Sequence, residues 1–208
     1  MRIEPLSTKS NRNLTDSLAI LGIASALYDD VIGWPKLKKA INDASAGNGS
    51  KLLALADEYT GRTRTGKYFS NENDVATLIS CLDWPNQATF AEMQSTSSRF
   101  SSTAPILGPY LVFSQLACNY LESSKSENSL NINTIKIDTL LIIGVTRDPA
   151  TPYEWAVALY KKFHASIFLT LEANGHTGQG RGFSCVDKKV DFYLLNSKIK
   201  AIHSQEFC

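Results

Sequence analysis

The chain has 208 residues, and its 21 basic side chains are nearly balanced by 20 acidic ones. A hydrophobic fraction of 43% is typical of one or two globular domains that bury a sizeable core. The balanced charge argues against nucleic acid as a partner, and no apolar run reaches the roughly 18 residues of a membrane span.

The N-terminal segment, residues 1–16, is polar and is predicted to be loose. The apolar run Leu18–Ile23 and the small residues 24–26 that follow it have the character of a signal peptide with its cleavage site. However, Glu4 and Asp16 lie in what should be a basic leader, and that leader is too long. We therefore interpret the run as part of a helix.

Residues 17–125 are predicted to form a mostly helical region. Apolar residues recur at helical spacing in three places: Leu37, Ala40, Ile41 and Ala44; Leu52, Leu55, Ala56 and Tyr59; and Val75, Leu78, Ile79 and Leu82. A short helix is expected around Phe90–Gln94, and the stretch Tyr110–Leu121 is apolar enough for a buried helix.

A polar, low-complexity stretch, Glu122–Asn133, is predicted to be a linker. It separates the helical region from a second region at residues 134–208. The domain boundary is therefore expected near residues 125–135.

The second region begins with a predicted βαβ unit. The apolar, β-branched run Leu140–Val145 indicates a buried strand. A helix is predicted over Pro152–His164, and a second strand over Ser166–Glu172. Strands joined by a helical crossover are parallel, so both should end at the same edge of one sheet. A further helix is predicted around Val186–Leu194.

Asp148 and His176 each follow one of these strands, so both are expected at the carboxyl edge of the sheet. A carboxylate that accepts a hydrogen bond from one imidazole nitrogen leaves the other nitrogen free to take a proton from a nucleophile. Acid before histidine is also the chain order of the α/β-hydrolase triad. The alternative interpretation is an Asp that caps the helix and a His in a surface loop.

Several motifs in this region resemble one family of enzymes. They are Gly144–Pro152, Gly175-His176-Thr177-Gly178, Cys185-Val186-Asp187, Tyr193-Leu194 and Cys208. They are similar to the C-terminal end of the tripeptidyl aminopeptidase-like serine peptidases, which are exported α/β-hydrolases. The resemblance is specific over residues 139–208 and looser back to about Leu27. It implies that Asp148 is the triad acid and His176 the triad base, and that residues 17–125 form a cap over the site.

The nucleophile of such an enzyme lies in a G-x-S-x-G motif between a strand and a helix. The nearest matches, Asp43–Gly47 and Gly182–Val186, each lack one glycine, and neither follows a predicted strand. The resemblance places the motif before the cap, and therefore upstream of Met1. The fold class expected is thus α/β, as the C-terminal portion of an α/β-hydrolase fold preceded by a mostly helical cap. The missing N-terminal half of the same hydrolase is the expected partner, and an export signal is expected there.

The four cysteines allow three disulfide pairings. The family pattern favours Cys185–Cys208, which leaves Cys81–Cys118. The alternative is four reduced, buried thiols in a cytosolic protein. No C-x-x-C or Cys/His cluster suggests zinc, so neither a metal nor another cofactor is expected.

The function that the resemblance implies is a serine exopeptidase that releases short peptides from free amino termini. The expected substrate is a peptide, and Asp57, Glu58 and Asp83 are the cap acids considered for its amine, although ordinary surface charges are the preferred interpretation. An esterase or lipase on the same fold is the first alternative, because a triad does not reveal its acyl leaving group. A non-catalytic binding module derived from a hydrolase is the second alternative.

Overall fold

The computed structural model describes residues 4–83, 88–114, 116–121, 139–196 and 203–208. The chain divides into two compact units. One comprises Met1–Ser25 and Lys39–Ser129, and the other comprises Ala26–Lys38 and Leu130–Cys208. The predicted linker Glu122–Asn133 lies outside the described residues, so the predicted domain boundary stays a prediction.

The first part of the chain is helical, as predicted. Its helices are α1 Asp16–Ala26, α2 Gly33–Ser45, α3 Ser50–Thr60, α4 Glu72–Asp83, α5 Phe90–Thr103 and α6 Gly108–Leu111, followed by a 3₁₀ turn at Leu116–Tyr120. Helix α3 ends at Gly61, whose left-handed φ of +67° suits a residue without a side chain. In the part of the chain that the structure describes, no helix is long and apolar enough to cross a membrane.

Two helical predictions differ from the structure. Helix α5 runs to Thr103 rather than ending near Gln94. A capping box between Thr89 and Glu92 fixes its start, and the later Ser and Thr hydroxyls donate to carbonyls one turn earlier, so these polar side chains are accommodated within the helix. The predicted buried helix Tyr110–Leu121 is wrong. Helix α6 ends after four residues, and Leu111 is half exposed. An apolar composition without clear periodicity did not distinguish a helix from a series of turns.

The segment that was expected to be loose is held in place from Leu6 to Leu14. The backbones of these two residues exchange a pair of hydrogen bonds of 2.9 Å each, and the Leu14 side chain is buried. Arg12 donates two hydrogen bonds of 2.8 Å to the carboxylate of Asp57 on α3. A paired guanidinium and a buried leucine therefore fix a stretch whose composition is polar.

The second unit contains the predicted βαβ arrangement. Strand β1 spans Leu140–Arg147, helix α7 spans Tyr153–Lys162, and strand β2 spans Ser166–Asn174. The two strands are parallel, with Leu140 opposite Ser166 and Arg147 opposite Asn174. The βαβ prediction is thus confirmed.

A third strand, β3 at Ser204–Phe207, follows helix α8 at Ser184–Leu195 and pairs in parallel with β2. The strand order is β1-β2-β3, so β2 is the central strand. Strand β3 was not predicted from the sequence, because it has only four residues and includes polar Ser204, Gln205 and Glu206. Such a strand lacks the apolar run or alternation that identifies a strand in a sequence.

The sheet is covered on one face by α8. Val186 and Val190 of α8 are buried against Leu169 and Leu171 of β2, and Cys208 packs beside them. Full burial of each such side chain stabilises the fold by about 1.5–3 kcal/mol. On α7, Tyr160 stacks on Phe168 of β2 with ring centroids 5.2 Å apart.

Both predicted disulfides are present, Cys81–Cys118 and Cys185–Cys208. The first joins α4 to the 3₁₀ turn in the helical unit. The second joins the start of α8 to the residue after β3. The alternative of four reduced thiols does not apply to this structure.

Candidate active site

Asp148 and His176 meet just beyond the carboxyl ends of β1 and β2. Arg147 and Asn174 are opposite one another in the register, so the residues that follow them leave the sheet side by side. Nδ1 of His176 lies 3.0 Å from each carboxylate oxygen of Asp148. The predicted contact between the two side chains is confirmed.

The carboxylate of Asp148 is almost completely enclosed, with 3% of the side chain exposed. Its Oδ1 accepts hydrogen bonds from the backbone N–H groups of Ala150 and Thr151, and its Oδ2 accepts one from the Thr151 hydroxyl, at 2.8–2.9 Å. Burial acts to raise the pKa of this carboxyl group, but the bonds from Thr151, Ala150 and His176 outweigh it and lower the pKa to about 2. Asp148 is therefore ionised at neutral pH.

An ionised carboxylate can only accept hydrogen bonds, so the neutral His176 ring must carry its proton on Nδ1. The ring is 29% exposed, and the tilted ring of Tyr28 lies beside it, with centroids 5.0 Å apart. Among the residues that the structure describes, none forms a hydrogen bond with Nε2. This nitrogen can therefore accept a proton from a group placed next to it.

The turn that carries His176 has an unusual backbone. Gly175 has φ of +92°, and Thr177 has φ of +68°, which is rare for a residue with a branched side chain. A Cβ atom on Gly175 would lie 2.5 Å from a guanidinium nitrogen of Arg181 and 2.6 Å from the carbonyl oxygen of Tyr28. Only glycine fits at this position.

Gly175→Ala is therefore expected to displace His176 as well as to destabilise the protein. We expect the loss in the free energy of unfolding to exceed the about 1–3 kcal/mol that positive φ alone costs a residue with a side chain, because the added methyl group would also collide with Arg181 and with the Tyr28 carbonyl. Urea denaturation measures this loss, and Gly180→Ala is the matched control, because Gly180 has φ of +75° but no atom within 4 Å of the position that a Cβ would take. Equal losses in the two variants would show that strain alone, and not the close packing of Gly175, sets the effect.

Neither Thr151, Glu172 nor the serines of the two nearest motif matches complete the site. Thr151 Oγ1 lies 3.5 Å from His176, but from Nδ1, the nitrogen that already faces Asp148. Ser45, in one of the two nearest matches to the nucleophile motif, ends α2 and donates to the carbonyl of Ile41. Ser184, in the other match, begins α8. Glu172 is exposed and lies near Arg147.

Asp57, one of the acids considered for a substrate amine, is already paired within the helical unit. Its carboxylate accepts two hydrogen bonds from Arg12, and Arg62 lies 3.9 Å away. A charge that is neutralised in this way is poorly suited to bind a substrate amine. Asp83 ends α4 and is exposed, as expected of an ordinary surface charge.

A groove of about 430 Å³ runs beside the acid on the β1 side of the sheet. Its lining residues come from β1, α7 and the loop after His176: Ile142, Ile143, Gly144, Val145, Asp148, Thr151, Pro152, Trp155, Ala156, Leu159, Thr177, Gly178 and Gln179. Trp155 is 65% exposed there. An apolar face of this kind next to an edge strand is the surface that parallel sheets normally keep covered.

Three residues that hold the histidine turn were not predicted from the sequence, namely Tyr28, Asp30 and Arg181. Tyr28 accepts a hydrogen bond from the backbone N–H of His176, and Arg181 bonds to Asp30. No sequence signal could have paired Asp30 with Arg181, which are 151 positions apart.

Comparison with known proteins finds one matching family model and relatives that are named as a protease, an esterase and an aminopeptidase. A family model described as TAP-like protein matches residues 104–206. Serine protease Hip1 of Mycobacterium tuberculosis is 30% identical over 194 residues, which are 92% of this chain and 37% of that protein. Carboxylesterase B of the same organism is 29% identical over 201 residues, covering 94% of this chain and 38% of that protein. Tripeptidyl aminopeptidase of Streptomyces lividans is 29% identical over 181 residues, covering 85% of this chain and 33% of that protein. The chain thus spans well under half the length of each relative.

Proposed function

Residues 104–206 belong to the TAP-like family of α/β-hydrolases, and from this premise we propose that the chain supplies the acid and the base of a serine peptidase triad. The observation that carries the proposal is the 3.0 Å contact between Nδ1 of His176 and the carboxylate of Asp148. It fixes the tautomer that general-base catalysis by Nε2 requires.

In the proposed mechanism, Nε2 of His176 removes the proton of a serine hydroxyl as that oxygen attacks the scissile carbonyl. The imidazolium that forms is stabilised by Asp148, which stays ionised because its pKa is about 2. The same proton then passes to the departing amine. The serine and the oxyanion-hole donors belong to a segment outside these 208 residues, the N-terminal half of the same hydrolase.

The proposed substrate is a peptide with a free amino terminus, from which short peptides are released. Support comes from the relatives that are named serine protease and tripeptidyl aminopeptidase. The helical residues 17–125 act as the cap that selects the substrate. Export to an oxidising compartment is proposed because both pairs of cysteines form disulfides. The proposed chemistry requires neither a cofactor nor a nucleic acid.

An esterase is the alternative that has a specific observation in its favour, because Carboxylesterase B aligns with 94% of the chain. The same Asp–His pair would serve ester hydrolysis without change. A hydrolase-derived module that only binds is the second alternative, and it predicts no covalent chemistry at all.

The experiment that tests the proposal is covalent labelling with a fluorophosphonate probe, which reacts with activated serines. We expect no labelling of the 208-residue chain alone, because no serine hydroxyl bonds to His176 among the described residues. We expect labelling after co-expression with the coding segment upstream of Met1, and its loss in the His176→Ala variant. Labelling of the lone chain that His176→Ala abolishes would show that the nucleophile lies within it.

The chain co-expressed with the upstream segment, here called the reunited protein, also separates the peptidase from the esterase and from the binding module. A tripeptide anilide with a free amino terminus should be hydrolysed, and the same anilide with an acetylated terminus should not. A p-nitrophenyl ester hydrolysed in preference to both anilides would favour the esterase. If the reunited protein neither reacted with the probe nor hydrolysed the anilides or the ester, the result would favour the binding module.

A further inference from the structure

The turn that carries His176 is enclosed by the side chain of Arg181. One guanidinium nitrogen, Nη1, donates to the carbonyl of Asn174 at 2.9 Å and to the carbonyl of Thr177 at 3.1 Å. These carbonyls lie on either side of Gly175-His176, so a single rigid group holds both ends of the turn. The Arg181 side chain is only 13% exposed, and its guanidinium lies 5.4 Å from the ring centroid of Phe183.

The other guanidinium nitrogen links this turn to the segment Tyr28–Asp30 of the same compact unit. Nη2 donates to Oδ1 of Asp30 at 3.1 Å, and Oδ2 of Asp30 accepts from the amide of Asn174 at 3.1 Å. The carbonyl of Tyr28 accepts from the backbone N–H of His176 at 2.7 Å. The histidine turn is therefore bonded both to Arg181, which follows it in the chain, and to a segment that is remote from it in sequence.

The segment that carries Asp30 is itself fixed. The carboxylate of Asp29 accepts hydrogen bonds from the backbone N–H groups of Val31 and Ile32 at 2.8 and 2.7 Å. The bond from Ile32 is the main cause of the lowered pKa of Asp29. A segment held in this way can act as a rigid support rather than as a flexible loop.

We propose that Arg181 and Asp30 are positioning residues that hold the ring of His176 against Asp148. The inference rests on the proposed function, since it assigns these residues a role in presenting the base. The physical reason is the backbone of the turn, where Gly175 and Thr177 have positive φ. A conformation of this kind persists only when its surroundings impose it, and the groups that impose it here are the guanidinium of Arg181 and the Tyr28–Asp30 segment.

The first test needs no activity and uses the 208-residue chain. In nitrogen NMR spectra of the neutral imidazole, the wild type should show His176 as one tautomer with the proton on Nδ1. Arg181→Met should give a mixture of both tautomers, because the ring no longer remains against Asp148. Lys189→Met is the matched control, since it removes the cation of another ion pair of the same unit, with Glu206, and should leave the His176 signals unchanged.

The second test measures kinetics in the protein that includes the upstream segment. A misplaced base should lower kcat by about 10²-fold and change KM by less than about twofold, because the substrate is bound by other groups. Arg181→Lys should retain an intermediate kcat, since an ammonium group keeps the charge but cannot reproduce the planar fork. Should Arg181→Met fail to fold, Asp30→Asn tests the same contacts, because its amide nitrogen would face either Arg181 or the amide of Asn174. This variant should give a similar loss of kcat.

The results of the two tests separate this inference from the function on which it rests. Suppose that the wild-type protein with the upstream segment hydrolyses nothing, while Arg181→Met in the 208-residue chain abolishes the single tautomer of His176. This result would overturn the triad and support the positioning role. An active protein whose kcat and His176 signals survive both Arg181→Met and Asp30→Asn would overturn the positioning role alone.

Discussion

Asp148→Asn, introduced into the protein that includes the upstream segment, is expected to lower kcat by about 10⁴-fold, the effect known for this change in serine-protease triads. The amide can donate a hydrogen bond to Nδ1 of His176, which stabilises the tautomer with the proton on Nε2. That nitrogen then cannot accept the proton of the serine. His176→Ala, which removes the base, should lower kcat by about 10⁶-fold. Steady-state kinetics on the tripeptide anilide measure both effects.

A pH series of urea denaturation is the control that separates the chemistry of Asp148 from its part in folding. The pKa of its carboxyl group is about 2 in the folded protein and ordinarily 3.8. Its ionisation thus stabilises the fold by about 2 kcal/mol at pH values above the ordinary pKa. This contribution should be lost as the pH falls from about 4 to about 2, and Asp148→Asn should lack it. If Asp148→Asn kept the wild-type kcat, Asp148 would not be the acid of the triad.

The two central residues of the site could be predicted because the information is local. The apolar runs of β1 and β2 and the helix between them indicate parallel strands, and a parallel pair brings the residues after both strands to one edge. Asp148 and His176 were therefore predicted to meet without any knowledge of the rest of the sheet. The resemblance added the roles of acid and base, which neighbouring positions alone do not give.

The rest of the site depends on contacts that leave no local pattern. Asp30 reaches Arg181 across 151 positions, and each residue alone resembles an ordinary surface charge. Strand β3 is too short and too polar to be identified without the strand it pairs with. The disulfide that ends at Cys208 was predicted from the family pattern, but its structural role, attaching β3, becomes visible only in the fold.

Removal of the Cys185–Cys208 bridge should have a large effect on stability. The bridge joins residues 23 positions apart, and a loop of this size corresponds to about 3 kcal/mol in the chain-entropy model. Cys185→Ser combined with Cys208→Ser should lower the free energy of unfolding by about that amount in urea denaturation. The loss should also be local to one part of the sheet. Among the described residues, the sheet extends beyond β2 only through the four residues of β3 and one backbone hydrogen bond from the N–H of Cys208 to the carbonyl of Thr170.

Hydrogen exchange tests that location. Without the bridge, β3 should separate from β2, and the amides between Ile167 and Thr170 that face β3 should exchange faster than those that face β1. The matched control breaks the other bridge, with Cys81→Ser and Cys118→Ser, whose 37-residue separation gives a similar entropic loss. This control should destabilise the helical unit and leave the β2 amides protected. Equal acceleration in both variants would show that the tail bridge acts only on the unfolded chain. Selective acceleration would show that it covers the edge of β2, a row of backbone groups that would otherwise pair with another chain.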